Sequence, residues 1–176
     1  MSRRVSRSGG RGEAGGGGPG RRSTHPRTCA LDLGKVRVGV AIDDDLGLLA
    51  HPRGTLDPRR AQAFLDALKR FLDEERVGRI VVGLPLDMSG GEGAAAREAR
   101  ATAQRIADAT GRQVEMWDER LTTVQAARAL AASEVRGRKA RERVDEAAAC
   151  AILQSWLDAR RARRARDDPS EAPGDQ

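Results

Sequence analysis

Residues 28–158 predict a mixed α/β domain, a five-stranded mixed sheet with helices on both faces. Three observations carry this. Two apolar runs, Thr28 to Leu33 and Val36 to Ile42, meet at a Gly34 turn and read as a hairpin. Beyond residue 57 short apolar strands alternate with segments whose apolar residues recur at helical spacing. No apolar run reaches the length that spans a bilayer, which excludes a helical membrane protein.

The elements follow in order. Leu48 to Leu56 reads as a third strand, and Pro52 makes it irregular or an edge, because proline cannot donate to a ladder. Asp57 and Pro58 then read as an N-cap and first-turn proline, and Gly78 as the stop of the helix they open. Phe64, Leu65, Leu68, Phe71 and Leu72 form its apolar stripe. Arg79 to Leu84 is a buried strand, followed after Pro85 by a Gly-rich loop, Asp87 to Gly93. Ala94 to Ala109 is a helix ended near Gly111, and Val114 to Trp117 a strand. Thr122 to Ala132 reads as a helix, "SEVRGRKARER" as a polar loop, and Val144 to about Leu157 as the last helix. The order is β-β-β-α-β-α-β-α-α.

The charge is unevenly placed. Of the net +6, residues 1–27 hold seven Arg and one Glu, whereas residues 28–158 hold 20 Lys+Arg and 21 Asp+Glu. The 1–27 stretch, Gly- and Arg-rich with little to bury, is expected to be a disordered tail, as is the charged segment 159–176. Such a tail either adds affinity for a phosphate backbone or is simply solvated. Its arginines have no apolar segment behind them, so no secretory signal is expected. Cys29 and Cys150 lack metal-site spacing and read as two buried thiols in a reducing cytoplasm.

A buried strand has little use for a carboxylate, yet the first strand carries Asp32, so Asp32 is a ligand of a cation or phosphate, or caps a turn. Asp118 and Glu119 end the last strand, and Asp145 with Glu146 falls in the first turn expected for the final helix. Taken singly, Asp145 is a favourable helix-terminal charge and Asp118 a partner for Arg120. Strand ends can converge, and converging carboxylates are tolerated around Mg²⁺ or Mn²⁺, the hard cations of phosphodiester hydrolysis.

Four blocks, "LDLGKVRVGVAIDD", "IVVGLPLDMSGGEG", "WDERLTT" and "VDEAAACAIL", resemble in order those of the YqgF/RuvX-like family of Holliday junction resolvases and pre-16S rRNA nucleases. The resemblance covers about residues 28–158 and implies an RNase H-like fold. It also implies a metal-dependent endonuclease in which Asp32, Glu119 and Asp145 are catalytic and hold Mg²⁺ or Mn²⁺. Asp118 and Glu119 point to opposite faces of a regular strand, so Glu119 is favoured as the ligand and Asp118 as an orienting group. The implied partners are structured RNA, ribosome precursors among them, or branched DNA, acted on by a monomer or homodimer.

Arg37 and Arg120 bind substrate phosphate or form structural ion pairs. Arg136, Arg138, Lys139, Arg141 and Arg143, just ahead of Asp145, are candidates for guiding a nucleic-acid backbone. The Gly83-Leu84-Pro85 block, with Ser89, Gly90, Gly91 and Gly93 after it, is a substrate-side loop whose amides approach a phosphate or a mobile connection, and is no P-loop, since no Gly-Lys-Ser/Thr follows. With no Tyr, two core-like Phe, and only Trp117 and Trp156 besides, a row of base-stacking aromatics is not expected. The rival readings are a resolvase of four-way junctions, a non-catalytic nucleic-acid-binding module, and a kinase-like ATPase, for which the chain is too short to build two lobes.

Overall fold

A computed structural model describes residues 26–87, 90–122 and 137–167. Strands β1 (Arg27–Leu33), β2 (Val38–Asp43) and β3 (Ala50–Leu56) precede helix α1 (Ala61–Glu74) and strand β4 (Val77–Leu84). Helix α2 (Ala94–Thr110), strand β5 (Gln113–Asp118), a 3₁₀ turn (Glu119–Leu121) and helix α3 (Arg138–Asp167) complete the described chain. The sheet order is β3-β2-β1-β4-β5. β1 and β2 pair antiparallel, as do β2 and β3, while β4 lies parallel to both β1 and β5. This is the RNase H-like arrangement expected above. Pro52 lies on β3, at the sheet edge, where a missing N–H breaks no inner ladder.

Alternation along the strands sorts side chains between two cores. Cys29, Leu31, Val40, Ile42, Ile80 and Val82 pack with Phe64, Leu68 and Leu72 of α1 and Ala103 and Ile106 of α2. Ala30, Ala41, Val81 and Trp117 pack with Ala148, Ala149, Ile152, Leu153, Trp156 and Leu157 of α3. Small residues dominate the second face, so α3 lies close on the sheet. A Cβ built on Gly39 would stand 2.0 Å from the Asp145 carbonyl oxygen, so only glycine admits the helix there.

Several local readings are corrected. The Asp57 side chain accepts from the Arg59 N–H at 3.0 Å and pairs with the Arg59 guanidinium, closing a local turn. Helix α1 therefore starts at Ala61, without a side-chain cap. It ends before Gly78, because Arg76 takes the left-handed conformation (φ 55°), and Gly78 lies inside β4. Gly111 does end α2 with φ 64°, its N–H bonding the Ala107 carbonyl. The largest difference is α3. It begins at Arg138, so Arg138, Lys139, Arg141 and Arg143 are helical, and it runs through Asp167, into the expected tail. The predicted helix over 122–132 lies outside the described residues apart from Thr122, which ends the 3₁₀ turn. Arg136 and most of both tails lie outside them too.

Both cysteines are free. Cys29 is fully buried, and burial raises its pKa well above the ordinary thiol range. Burial and the nearby Glu146 charge push Cys150 up to about 11. Alkylation by iodoacetamide at neutral pH is therefore expected to be at least ~10-fold slower in the folded protein than in urea. Equal rates, followed by mass spectrometry, would contradict this packing.

Candidate active site

The site stands at the end of the sheet's inner strands, where β1 and β4 finish. Asp32 lies on the same strand face as Ala30, the face toward α3, and its neighbour across the β1–β2 ladder is Gly39. On the other side β4 ends near Gly83, where an added Cβ would stand 2.5 Å from Glu119 Oε1 and 2.7 Å from Ile152 Cδ1. Gly83 thus leaves room for the Glu119 carboxylate, and Gly39 for the α3 backbone at Asp145. Asp32 and Glu119 are 4% and 2% exposed, far below what carboxylates tolerate without strong compensation.

Asp32, Glu119 and Asp145 all line one cleft of about 620 Å³. Its far wall is apolar, with Phe64 and Leu65 of α1 and Ala99 and Ile106 of α2. The structure therefore brings together three carboxylates separated by 87 and 26 residues in sequence. Asp145 is not in the first turn of its helix, as the sequence reading had it, but is the eighth residue of α3. The helix dipole therefore does not account for it, since that field acts mainly within the first turn. Its carboxylate instead accepts from Arg37 Nε at 2.6 Å, with both side chains about three-quarters buried.

Asp118 ends β5, whereas Glu119 opens the 3₁₀ turn and is not on the strand as the sequence suggested. Asp118 does not line the cleft. Its side chain caps the 3₁₀ turn by accepting from the Arg120 N–H at 2.9 Å, and it pairs with the Arg120 guanidinium at 2.7 Å. That pairing holds the Asp118 carboxyl below its ordinary pKa and raises Arg120. Arg37 and Arg120 are both engaged in ion pairs with acids of the matched blocks. Lys139, Arg141 and Arg143 are exposed on the first turns of α3, leading toward Asp145.

The cleft also contains polar residues that sequence reasoning missed. Lys35 sits in the β1–β2 turn, beside the mouth. Glu98, Thr102 and Arg105 line it from α2. Their spacing of four, three and seven residues marks one helix face, a signal visible in sequence but without a reason to attach it to the acids.

Among the described residues, no three His, Cys, Asp or Glu side chains form a ready metal cage. The donors nevertheless suit Mg²⁺ or Mn²⁺. All three are carboxylates, and Mg²⁺ uses one or two protein carboxylates, retaining waters and substrate oxygens rather than requiring a closed cage.

Residues 26–159 match the family model for RuvX, Holliday junction resolvase. A relative from Anaeromyxobacter sp. (strain Fw109-5), named "Putative pre-16S rRNA nuclease", is 47% identical over 77% of this chain and 99% of its own length. Relatives with the same name from Myxococcus xanthus and Geobacillus kaustophilus are 45% and 41% identical, each over 77% of this chain and over 89% and 99% of their own lengths. A solved structure of T. thermophilus RuvC in complex with Holliday junction substrate is similar with a TM-score of 0.47. The two are 15% identical, over 78% of this chain and 97% of that one.

Proposed function

This chain belongs to the RuvX family, and from that premise we propose that it is a metal-dependent endonuclease that processes the 5′ end of pre-16S rRNA in the cytoplasm. The observation that carries the proposal is the gathering of Asp32, Glu119 and Asp145 in one cleft at the end of β1 and β4. The two free, buried or half-buried cysteines suit a reducing compartment. No helix among the described residues is long and apolar enough to cross a membrane.

Asp32, Glu119 and Asp145 would hold Mg²⁺ or Mn²⁺, which when bound supplies positive charge at the scissile phosphate and acidifies water. The protein's own residues do the rest. Asp32 and Glu119, buried on strand and turn, cannot swing far and so present their oxygens at fixed positions. Arg37 holds the Asp145 carboxylate in a set rotamer and partly offsets its charge. Lys35 at the mouth, and Lys139, Arg141 and Arg143 along α3, attract the backbone and orient it toward the acids. Phe64 and Leu65 of α1 and Ala99 and Ile106 of α2 give the cleft an apolar part beside these charges.

Neighbouring acids test the assignment. Glu119→Gln is expected to lose at least ~100-fold more cleavage rate than Asp118→Asn. Asp118→Asn keeps a capping oxygen and loses only the ion pair with Arg120, so it should lower stability by no more than about 1 kcal/mol. Single-turnover rates on a pre-16S fragment and thermal melts of both variants check this. Equal losses of activity would remove Glu119 from its role. A four-way DNA junction belongs in the same assay, because preferential cutting of it would favour a resolvase, which needs two sites in a symmetric dimer.

A further inference from the structure

Helix α3 is longer than the domain needs. Its last well-buried residue is Leu157, and residues 161–167 are exposed, so two turns overhang the sheet. This overhang reads RRARRAR from Arg160 to Arg166, five arginines and no lysine. The family match ends at residue 159. The overhang therefore lies outside what the family likeness accounts for.

The overhang is anchored at its base. The Arg160 guanidinium lies 5.2 Å from the Trp156 ring centroid and the Arg79 guanidinium 5.6 Å from it. Burial, then the like charges of Arg164 and Arg79, lowers the Arg160 pKa, so cations crowd here. Arg161 pairs with Asp158. Among the described residues Arg163, Arg164 and Arg166 have no ion-pair partner. One or two cations in the last turn would satisfy the helix dipole. Five arginines exceed that need, and their planar guanidinium groups match phosphate oxygens two at a time.

We propose that the arginine overhang of α3, Arg161 to Arg166, is a second phosphate-backbone site that engages a distant part of the nucleic-acid substrate. Arg163 follows Asp145 by five helical turns, about 27 Å along a continuous helix. Between them α3 is packed on the sheet, so a strand reaching both must pass round the domain. Only an extended or folded nucleic acid does so. The site rests on the nuclease reading for the identity of its ligand, and adds a footprint outside the cleft.

The test compares Asp32→Asn with the same protein also carrying Arg161, Arg163, Arg164 and Arg166→Gln, the first change preventing cleavage in both. The probes are an RNA hairpin of about six base pairs, roughly 20 Å long, and a folded RNA of roughly a hundred nucleotides. Glutamine keeps helix propensity, which circular dichroism verifies. For the long RNA, dissociation constants at low salt are expected to rise at least ~10-fold, and the salt slope to shrink by about 3. For the short hairpin both should hold within about threefold. Equal binding and slope for the long RNA in the two proteins would overturn this inference alone. Failure of the parent to bind either RNA would overturn the nuclease reading with it.

Discussion

Replacing Asp32 with Asn is expected to lower metal-dependent cleavage by about 10³-fold or more while the melting temperature moves by no more than a few degrees. The change keeps the shape of a side chain that is 4% exposed on an inner strand, so packing is retained. What is lost is one negative charge of the three carboxylates lining the cleft. An amide is a poor ligand for a hard cation beside two carboxylates, and metal affinity should fall with the rate. The pair of measurements matters, because a fall in both rate and melting temperature would describe a structural acid rather than a ligand.

Replacing Gly39 with Ala is expected to be the most damaging small change in the fold. The new methyl would stand 2.0 Å from the Asp145 carbonyl oxygen and 2.6 Å from its carbonyl carbon, both backbone atoms of α3. No rotamer relieves that contact, so the helix must move off the sheet. Overpacking against backbone is expected to cost roughly 3 kcal/mol or more. At about 3 °C per kcal/mol for a domain of this size, Tm falls by roughly 9 °C or more. Because Asp145 rides on the displaced helix, activity should fall at temperatures where the variant is still folded. Gly54→Ala serves as a comparison. Nothing lies within 4 Å of its Cβ, and its φ of 89° makes its cost one of backbone strain alone.

The sheet was legible because its signals are local. Gly34 closes the β1–β2 turn, its N–H bonding the Arg37 carbonyl, and Pro52 marks β3 as an edge. The ends of α1 were not, since Asp57 is claimed by Arg59 two residues on and Arg76 turns the chain where glycine was expected. The start of α3 was missed for a different reason. Arg, Lys, Ala and Glu are polar or small but strong helix formers, so polarity alone does not separate a loop from an exposed helix. The strand ends pointed to Asp32 and Glu119, but Asp145 lines the same cleft from within α3, not from the helix end expected of it. The Arg37–Asp145 pair, 108 residues apart, depends on tertiary packing and left no local trace, and the α2 face of Glu98, Thr102 and Arg105 had nothing local to tie it to the acids.

The most direct test of the whole account is cleavage of a pre-16S rRNA fragment by the full chain at low salt, with Mg²⁺, Mn²⁺ or EDTA, mapping the 5′ ends formed. Cutting at a discrete 5′ site with either metal, absent in EDTA and in Asp32→Asn, is the predicted result. Undiminished cutting by Asp32→Asn, or RNA binding without cutting in any metal, would contradict it and leave the three carboxylates a structural cluster.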